Sequence, residues 1–307
     1  MHTCIIANPH AGSADGAASV RRRAAQHDQV VWWESPDRAA CEGLVQRAVE
    51  AGAVRIAAAG GDGTINGVVN ALQAIGADVP LGVLPFGTGN DLAHTLAIPH
   101  DPDAAWDVLL RGHEQVIDLF RMDTSGERRF GINVAAGGFS GQVDEALTSE
   151  AKATWGPLAY LLGAAQVLPD LQEYETYIAF DGAPRQRMEV LNVVVANGRT
   201  AAGGRPVAPI ANPCDGLLDV IVVKAGSMPA LAKVGTRLVA GNYLGSPLVH
   251  HRRVRQVAVA SDPGMWFNVD GELITNEPVS LCVLPGRQRV IVGPEFEAAP
   301  DESRWDV

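Results

Sequence analysis

The fold of this chain is decided by residues 54–66, which read VRIAAAGGDGTIN. An apolar run of strand length leads into a glycine-rich turn, and a helix is predicted to start there. The apolar residues that share one face of that helix, at three- and four-residue spacing, are Ile65, Val68, Val69, Leu72 and Ile75. Glycine lets the backbone approach a ligand closely, and the helix terminus directs N–H groups at an anion. The stretch therefore predicts a nucleotide-phosphate site.

An aspartate, Asp62, lies inside this turn, although its charge would repel a phosphate. Its presence is explained if Mg²⁺ lies between carboxylate and phosphates, or if Asp62 orients other groups. A P-loop is excluded because the chain contains no Gly-Lys pair. A dinucleotide fingerprint would need a third glycine where Asn66 stands. A plain tight turn between strand and helix is the remaining alternative.

Two further loops have the same character. Residues 81–93 read LGVLPFGTGNDLA, a buried strand that runs into a second glycine-rich turn, where Asn90 or Asp91 could cap a helix. Residues 4–12 read CIIANPHAG, a strand that ends in a third loop at Asn8. Because ligands bind where parallel strands of an open sheet end, the three loops are predicted to lie side by side.

In these loops the chain resembles the diacylglycerol-kinase catalytic-domain family, in its branch of soluble bacterial lipid kinases; sphingosine kinases belong to the same family. The resembling features are an Asn-Pro-x-x-Gly start, a Gly-Gly-Asp-Gly-Thr loop and a Phe-Gly-Thr-x-Asn-Asp loop. The likeness continues, in the family's order, through Asp118, NVAAGGFS at 133–140, ANGR at 196–199, DGLLDV at 215–220 and VDGE at 269–272. It covers nearly the whole chain.

The resemblance implies an ATP site. The matching residues are Asn8, Gly60, Gly61, Asp62, Gly63, Thr64, Ile65, Asn66, Gly87, Thr88, Asn90 and Asp91. Asp62, supported by Asp91 and Asp118, would hold or orient Mg²⁺ between the phosphates, which makes Asp62 a predicted catalytic residue.

Glu272 is the second predicted catalytic residue. It corresponds to the family's Asp-Gly-Glu segment, which carries the general base that accepts the proton of the acceptor hydroxyl. From the residues alone, an ordinary acid in an Asp-Gly hairpin turn would be the preferred interpretation.

The segment around Asp215 leaves a choice open. Resemblance to soluble bacterial members implies a structural Mg²⁺ held by the Asp215 carboxylate, with oxygens at Asn212 and Leu217. The alternative is a tight turn before a strand, and the sequence does not decide between them.

The chain divides into two regions. Up to about residue 122, strands alternate with helices, which predicts a doubly wound, mostly parallel sheet of the NAD kinase/diacylglycerol kinase-like type; Ser35 before Pro36 is the predicted cap of the second helix. Later strands, the last of them at 279–284, are separated by Gly, Pro and Asn turns and predict an antiparallel β-sandwich-like domain, and a final strand at 289–293 is predicted to return to the first domain. The fold class is therefore α/β plus β. The predicted domains are a nucleotide-binding one at 1–125, completed by 289–307, and a β-rich lipid-binding one at 126–288, with an amphipathic helical insertion at 151–172.

Composition limits the classes of partner. The chain of 307 residues is 47% hydrophobic and 19% charged, which is typical of a globular protein, and no apolar run approaches the ~20 residues of a membrane span. A net charge of −11 argues against nucleic acid. Four scattered cysteines and no evident secretory signal predict a cytoplasmic protein. A basic run at 250–255, HHRRVR, could contact a lipid headgroup.

These observations predict an ATP- and Mg²⁺-dependent lipid kinase that acts on a hydroxyl of a diacylglycerol- or phosphatidylglycerol-like lipid. An NAD kinase-like phosphotransferase is one alternative, because that related group shares the Gly-Gly-Asp-Gly-Thr loop. A nucleotide- or lipid-binding protein without turnover is another. The expected partners are the lipid substrate and, transiently, a membrane surface; a homodimer is compatible with the sequence.

Overall fold

A computed structural model describes residues 2–12, 14–138, 172–239 and 242–300. The insertion predicted at 151–172 lies outside the described residues, except for its last position. The chain forms two compact units. The first comprises Met1–Ile117 and Gly286–Glu297, and the second comprises Asp118–Pro285 and Ala298–Val307.

The first unit is a parallel sheet covered by helices. Its strands are β1 (Thr3–Ala7), β2 (Val30–Glu34), β3 (Arg55–Gly60) and β4 (Leu81–Pro85), in the spatial order β2-β1-β3-β4. Its helices are α1 (Ala14–Ala25), α2 (Arg38–Glu50), α3 (Asp62–Ile75), α4 (Asp91–Thr95) and α5 (Pro102–Arg111). All three strand pairs are parallel.

Helices lie on both faces of this sheet, as the alternation of side chains shows. A Cβ at Gly82 would collide with Leu109 of α5 and lie 3.3 Å from Ala57, so α5 covers the face that carries Ala57. On the opposite face, the Arg47 guanidinium of α2 lies 4.9 Å from the ring centre of Trp33. The prediction of a doubly wound sheet is confirmed.

Two helices of this unit begin at aspartate caps. Asp37 accepts a 2.8 Å bond from the N–H of Ala40, and Asp101 accepts one of 2.8 Å from that of Ala104. Ser35 is therefore not the cap of α2; its hydroxyl donates instead to the carbonyl of Asp37. The helix starts later than predicted because Asp37 offers the better-placed carboxylate.

The second unit is an antiparallel β-structure with one helix among its described residues. Its strands are β5 (His113–Asp123), which begins in the first unit, β6 (Arg128–Gly131), β7 (Val134–Gly138), β8 (Tyr174–Phe180), β9 (Gln186–Ala196), β10 (Thr200–Ala201), β11 (Arg205–Pro206), β12 (Leu218–Lys224), β13 (Val249–Val254), β14 (Gln256–Asp262), β15 (Phe267–Val269), β16 (Glu272–Thr275) and β17 (Val279–Val292), and the helix is α6 (Met228–Val239). The main strand order is β16-β15-β7-β9-β8-β14-β17, and β12 joins β9 to β13.

Two apolar clusters form on opposite faces of these strands. The larger contains Phe120, Ile178 and Phe267, and the smaller, which includes α6, contains Ile221 and Val234. The strands predicted at 279–284 and 289–293 are one strand, β17, which continues through Gly286 at a φ of 59°. From Gly286 onward β17 belongs to the first unit, in which Val290 pairs in parallel with Leu81 of β4.

Within the described part of the chain, no helix combines the length and apolar character needed to cross a membrane.

Candidate functional site

The two glycine-rich turns of the first unit touch backbone to backbone. A Cβ at Gly61 would lie 3.2 Å from the Cα of Gly87, and a Cβ at Gly87 would collide with Gly61. The N–H of Phe86 donates to the carbonyl of Gly60 at 3.0 Å. Glycine is required at both positions because any side chain would separate the turns, so the structure brings these two predicted loops together.

The third loop lies beside them. The N–H of Asn8 donates to the carbonyl of Ala59 at 2.9 Å, and the Asn8 amide group lies 3.5 Å from the hydroxyl of Thr64. A Cβ at Gly12 would lie 3.7 Å from the hydroxyl of Thr88. Polar side chains from all three strand ends therefore border one region of the first unit.

Asp62 links the first loop to the second. One carboxylate oxygen accepts a 3.1 Å bond from the N–H of Asp91, and the other accepts a 3.1 Å bond from that of Leu92. These are N–H groups at the start of α4, so Asp62 caps that helix from a distant position in the sequence. Of the two explanations offered for an acid in the turn, the structure directly supports an orienting role.

Asp62 and Asp91 also face a common point. A Cβ at Gly89 would lie 3.2 Å from an oxygen of each carboxylate. Every carboxylate oxygen has more than one acceptor position, so Asp62 can receive its amide bonds and still face a cation. The residues present therefore fit a Mg²⁺ bound by one or two carboxylates and the phosphates of a nucleotide. Among the described residues, no group of three or more His, Cys, Asp or Glu side chains is arranged to hold a metal.

The start of α3 presents open backbone donors. No side chain caps its first residue, Gly61 being the cap position, and Gly63 is exposed. The N–H groups of Thr64 and Ile65 donate to the carbonyl of Gly61 at 3.0 and 3.1 Å. The N–H groups of the third and fourth residues of α3 are therefore used within the helix, whereas those at its beginning remain accessible. Accessible N–H groups at a helix start are suited to bind an anion.

Three of the residues assigned to the site by resemblance shape it from within. Asn90 is 4% exposed with a φ of 51°, and its side chain makes two 2.8 Å bonds to the N–H and carbonyl of Gly87. Ile65 and Asn66 are each 1% exposed in α3. All three side chains are buried, and a direct contact of any of them with a nucleotide stays a prediction.

One titratable group near Asp62 is perturbed. The pKa of His94 in α4 is lowered, first by burial and then by His100, whose ring centre lies 4.3 Å away. The Asp62 carboxylate opposes this effect. His94 is therefore more readily neutral than an ordinary histidine.

In the second unit, Glu272 is the first residue of β16, opposite Val269, and is half-buried. It follows a tight turn in which Asp270 has a φ of 48° and Gly271 one of 86°. The side chain thus leaves a rigid hairpin turn, as the turn interpretation expects, and its position does not by itself assign a proton-transfer role.

Asp270 anchors this turn. Its carboxylate, 6% exposed, accepts bonds of 3.0, 3.0 and 2.9 Å from the N–H groups of Ile132, Asn133 and Val134. A buried carboxylate that accepts three amide bonds is fixed in position. This role of Asp270 was not predicted; its only signal in the sequence is an acid directly after an apolar strand.

The anchor continues into a buried polar network. The carbonyl of Asn133 accepts bonds of 2.9 and 2.8 Å from the N–H groups of Asn197 and Gly198. The Asn197 amide donates to the carbonyls of Asp118 and Ile132 at 2.9 and 2.8 Å. Several of the family-like segments of this unit are therefore joined by backbone-directed hydrogen bonds.

Asp118 also belongs to this network, and its support of Mg²⁺ in the ATP site stays a prediction. It is 2% exposed in the second unit, and its carboxylate accepts a 2.7 Å bond from the N–H of Gly216. The carboxylate is used to hold the turn before β12.

The predicted structural metal segment is also internally bonded. Asn212 accepts from the N–H of Cys214 at 3.0 Å, and Asp215 accepts from that of Leu217 at 2.9 Å while its second oxygen pairs with Arg253. These contacts are those of a tight turn. The Mg²⁺ site at Asp215, Asn212 and Leu217 stays a prediction.

The fold defines a class: proteins that combine a doubly wound unit with glycine-rich loops and a β-rich unit. The family model of the diacylglycerol kinase catalytic domain matches residues 2–122, and that of the YegS C-terminal NAD kinase beta sandwich-like domain matches residues 133–292. The chain belongs to the diacylglycerol kinase family.

Known relatives agree with this membership. The chain is 33% identical to a diacylglycerol kinase of Staphylococcus saprophyticus over 70% of this chain and 69% of that protein, and 34% identical to one of Staphylococcus aureus over 70% and 67%. The fold is similar to that of a solved putative diacylglycerol kinase of Bacillus anthracis, with a TM-score of 0.81, 22% identity and 96% of each chain covered. It is less similar to an NAD kinase of Archaeoglobus fulgidus in complex with ATP, with a TM-score of 0.53, 13% identity, and 96% and 95% covered.

Proposed function

We propose that this protein is a lipid kinase that transfers the γ-phosphate of ATP to a hydroxyl of a diacylglycerol- or phosphatidylglycerol-like lipid. The observation that carries the proposal is the backbone contact of the two glycine-rich turns at Gly61 and Gly87, bridged by Asp62, in a chain of the diacylglycerol kinase family. Phosphoryl transfer depends mainly on positioning and charge neutralisation; the turns would supply the positioning, and backbone N–H groups with a bound Mg²⁺ would supply the neutralisation.

The first unit would bind the nucleotide. The open N–H groups at the start of α3, with the hydroxyls of Thr64 and Thr88, would donate to the phosphates. Asn8 borders the same region and would restrict the orientation of the phosphate chain. Because Gly61 and Gly87 touch, the two turns form one continuous wall rather than two independent loops.

Asp62 and Asp91 would hold the metal ion. When bound to these carboxylates, a Mg²⁺ would supply positive charge for the phosphates. The two amide bonds that Asp62 receives from α4 fix the direction of its carboxylate, so that little reorganisation is needed when the nucleotide binds.

Glu272 would act as the general base. Its carboxylate would accept the proton of the lipid hydroxyl during attack, a role typically worth about 10²–10⁴-fold in rate. Asp270 supports this role as a positioning residue, because its three amide bonds fix the hairpin turn from which Glu272 projects.

The test is transfer of labelled γ-phosphate from Mg-ATP to extracted lipids, with NAD as a parallel acceptor because the fold is also similar to that of an NAD kinase. Wild type, Asp62→Ala and Glu272→Gln would be compared, and ATP binding measured by calorimetry. The proposal expects a labelled lipid that both substitutions abolish, and ATP binding that Glu272→Gln retains. Label in NAD alone would contradict the lipid acceptor, and ATP binding without any product would contradict turnover.

A further inference from the structure

Strand β13 carries a run of basic residues, which the sheet divides between two faces. Residues 249–254 read VHHRRV, and this strand pairs with β12 along one side. Within the described ranges, no other strand pairs with it. Side chains alternate along a strand, so His251 and Arg253 lie on one face, and His250 and Arg252 on the other.

The cations of the first face are neutralised locally. The ring of His251 lies 2.6 Å from the carboxylate of Asp219, which is 1% exposed. Arg253 forms an ion pair with Asp215. These two basic residues therefore contribute to the structure of the β12–β13 pair and have little charge to offer a partner.

The opposite face is different. The Arg252 guanidinium lies 5.3 Å from the ring centre of Phe180, and its Nε donates to His250 at 3.2 Å. His250 is paired in register with Val222, two residues before Lys224. Neither Arg252 nor Lys224 forms an ion pair with a described residue. Lys224, His250 and Arg252 together are named the basic rim.

The positive charges around His250 are not balanced by a carboxylate. The pKa of His250 is lowered, first by burial and then by the positive charges of Arg252 and Lys224, with His251 contributing least. No carboxylate is among the groups that act on this ring. In a chain with a net charge of −11, two neighbouring cations without an ion pair to a described residue, Lys224 and Arg252, are a local exception.

We propose that the basic rim docks on the anionic surface of a lipid bilayer. The inference rests on the proposed function, since a kinase with a lipid acceptor must reach a membrane surface. The argument is charge complementarity: juxtaposed Lys and Arg side chains are attracted to anionic headgroups, and this attraction falls off within a Debye length. A nucleic acid is disfavoured, because the negative charge of the whole chain opposes a polyanion that extends beyond the rim.

The test is sedimentation with vesicles in the absence of ATP, using phosphatidylcholine with or without phosphatidylglycerol. The double variant Lys224→Ala/Arg252→Ala is compared with Arg185→Ala/Lys233→Ala, which removes the same two charges from exposed positions of the same unit. The wild type should bind the anionic vesicles only. Each rim cation is worth roughly fivefold in partitioning, so the rim variant should bind on the order of twentyfold more weakly, and the control within about twofold of wild type.

Equal binding by the wild type and the rim variant would overturn the proposal, as would binding to neutral vesicles or equally tight binding to an oligonucleotide. A second assay, phosphorylation of a lipid dispersed in neutral detergent, tests the proposed function separately from membrane docking by the basic rim. Because that assay needs no anionic surface, the rim variant should retain wild-type turnover in it. If the wild type shows no transfer there, the proposed function fails, whereas the vesicle result still decides whether the rim binds anionic lipid.

Discussion

At the scale of single residues, the most informative side chains are acids whose carboxylates accept backbone N–H groups. Asp62 binds two amides of α4, Asp270 binds three amides before and within β7, and Asp118 binds one at Gly216. The sequence predicted the importance of Asp62 from its place in a glycine-rich turn. It could not show the bonds of Asp270, because their donors lie 136 to 138 positions away in the chain.

The substitution Asp62→Ala should lower both kcat and the free energy of unfolding. The substitution removes two bonds to α4, which should cost about 1 kcal/mol in the free energy of unfolding, and it removes the carboxylate, which should lower kcat at least about 100-fold. Asp101→Ala is the matched control, because it removes the cap of α5 at similar cost. Chemical denaturation and initial rates measure both effects; equal activity of the two variants would contradict a role for Asp62 in catalysis.

Asp270→Asn should lower kcat and leave the KM for ATP unchanged. Asparagine tolerates the positive φ but turns an amide donor towards one of the three N–H groups, so the turn that carries Glu272 loses its fixed position. Asp181→Asn is the control, since Asp181 has a φ of 48° and also accepts two amide bonds in the same unit. A rise in the KM for ATP, or the same loss of kcat in the control, would assign Asp270 a merely structural role.

At the scale of elements, the turns and helices of the first unit follow from local sequence. The glycine turns and most of the apolar face of α3 were predictable, because each arises from residues close in the chain; Ile75, which was assigned to that face, is 42% exposed. The cap of α2 was predicted at Ser35 and lies at Asp37. Both residue types cap helices, and only the three-dimensional course of the backbone determines which of the two side chains reaches the first N–H groups. The continuity of β17 through Gly286 was not predicted, because a Pro-Gly pair usually ends a strand.

Gly87→Ala should separate the two turns. Its Cβ would collide with the backbone of Gly61, which cannot rotate away, so ATP binding should weaken at least about tenfold and stability should fall by about 1–3 kcal/mol. Gly43→Ala in α2 is the control: open space surrounds that position, and the change should stabilise by roughly 0.5–1 kcal/mol. Calorimetric titration with ATP distinguishes them, and unchanged affinity in Gly87→Ala would contradict the wall formed by the turns.

The packing of α2 predicts a pH dependence of stability. Burial raises the pKa of Cys41 from 9.0 to about 11, so the unfolded chain ionises first as the pH rises. Stability is therefore retained below pH 9 and should fall by at most about 1.4 kcal/mol per pH unit between 9 and 11 on account of this thiol. Denaturation of wild type and Cys41→Ala at pH 8 and 10 measures the effect, and an equal fall in both would contradict it.

At the scale of the whole molecule, the two units use the family-like segments differently. In the first unit these segments form loops with accessible backbone donors and half-buried carboxylates. In the second they are mostly buried, and they hold turns together through Asn133, Asn197 and Asp118. From the sequence, both kinds of segment are equally prominent, since a motif does not reveal whether its polar groups face a ligand or the chain itself.

The most direct test of the central claim is the identity of the phosphorylated product. Mg-ATP labelled in the γ-phosphate would be incubated with the wild type, a diacylglycerol, a phosphatidylglycerol and NAD together, and the products separated and identified by mass spectrometry. The account predicts label on a lipid hydroxyl, none on NAD, and no product with Glu272→Gln. Label on NAD, or full activity of Glu272→Gln towards the lipid, would contradict it.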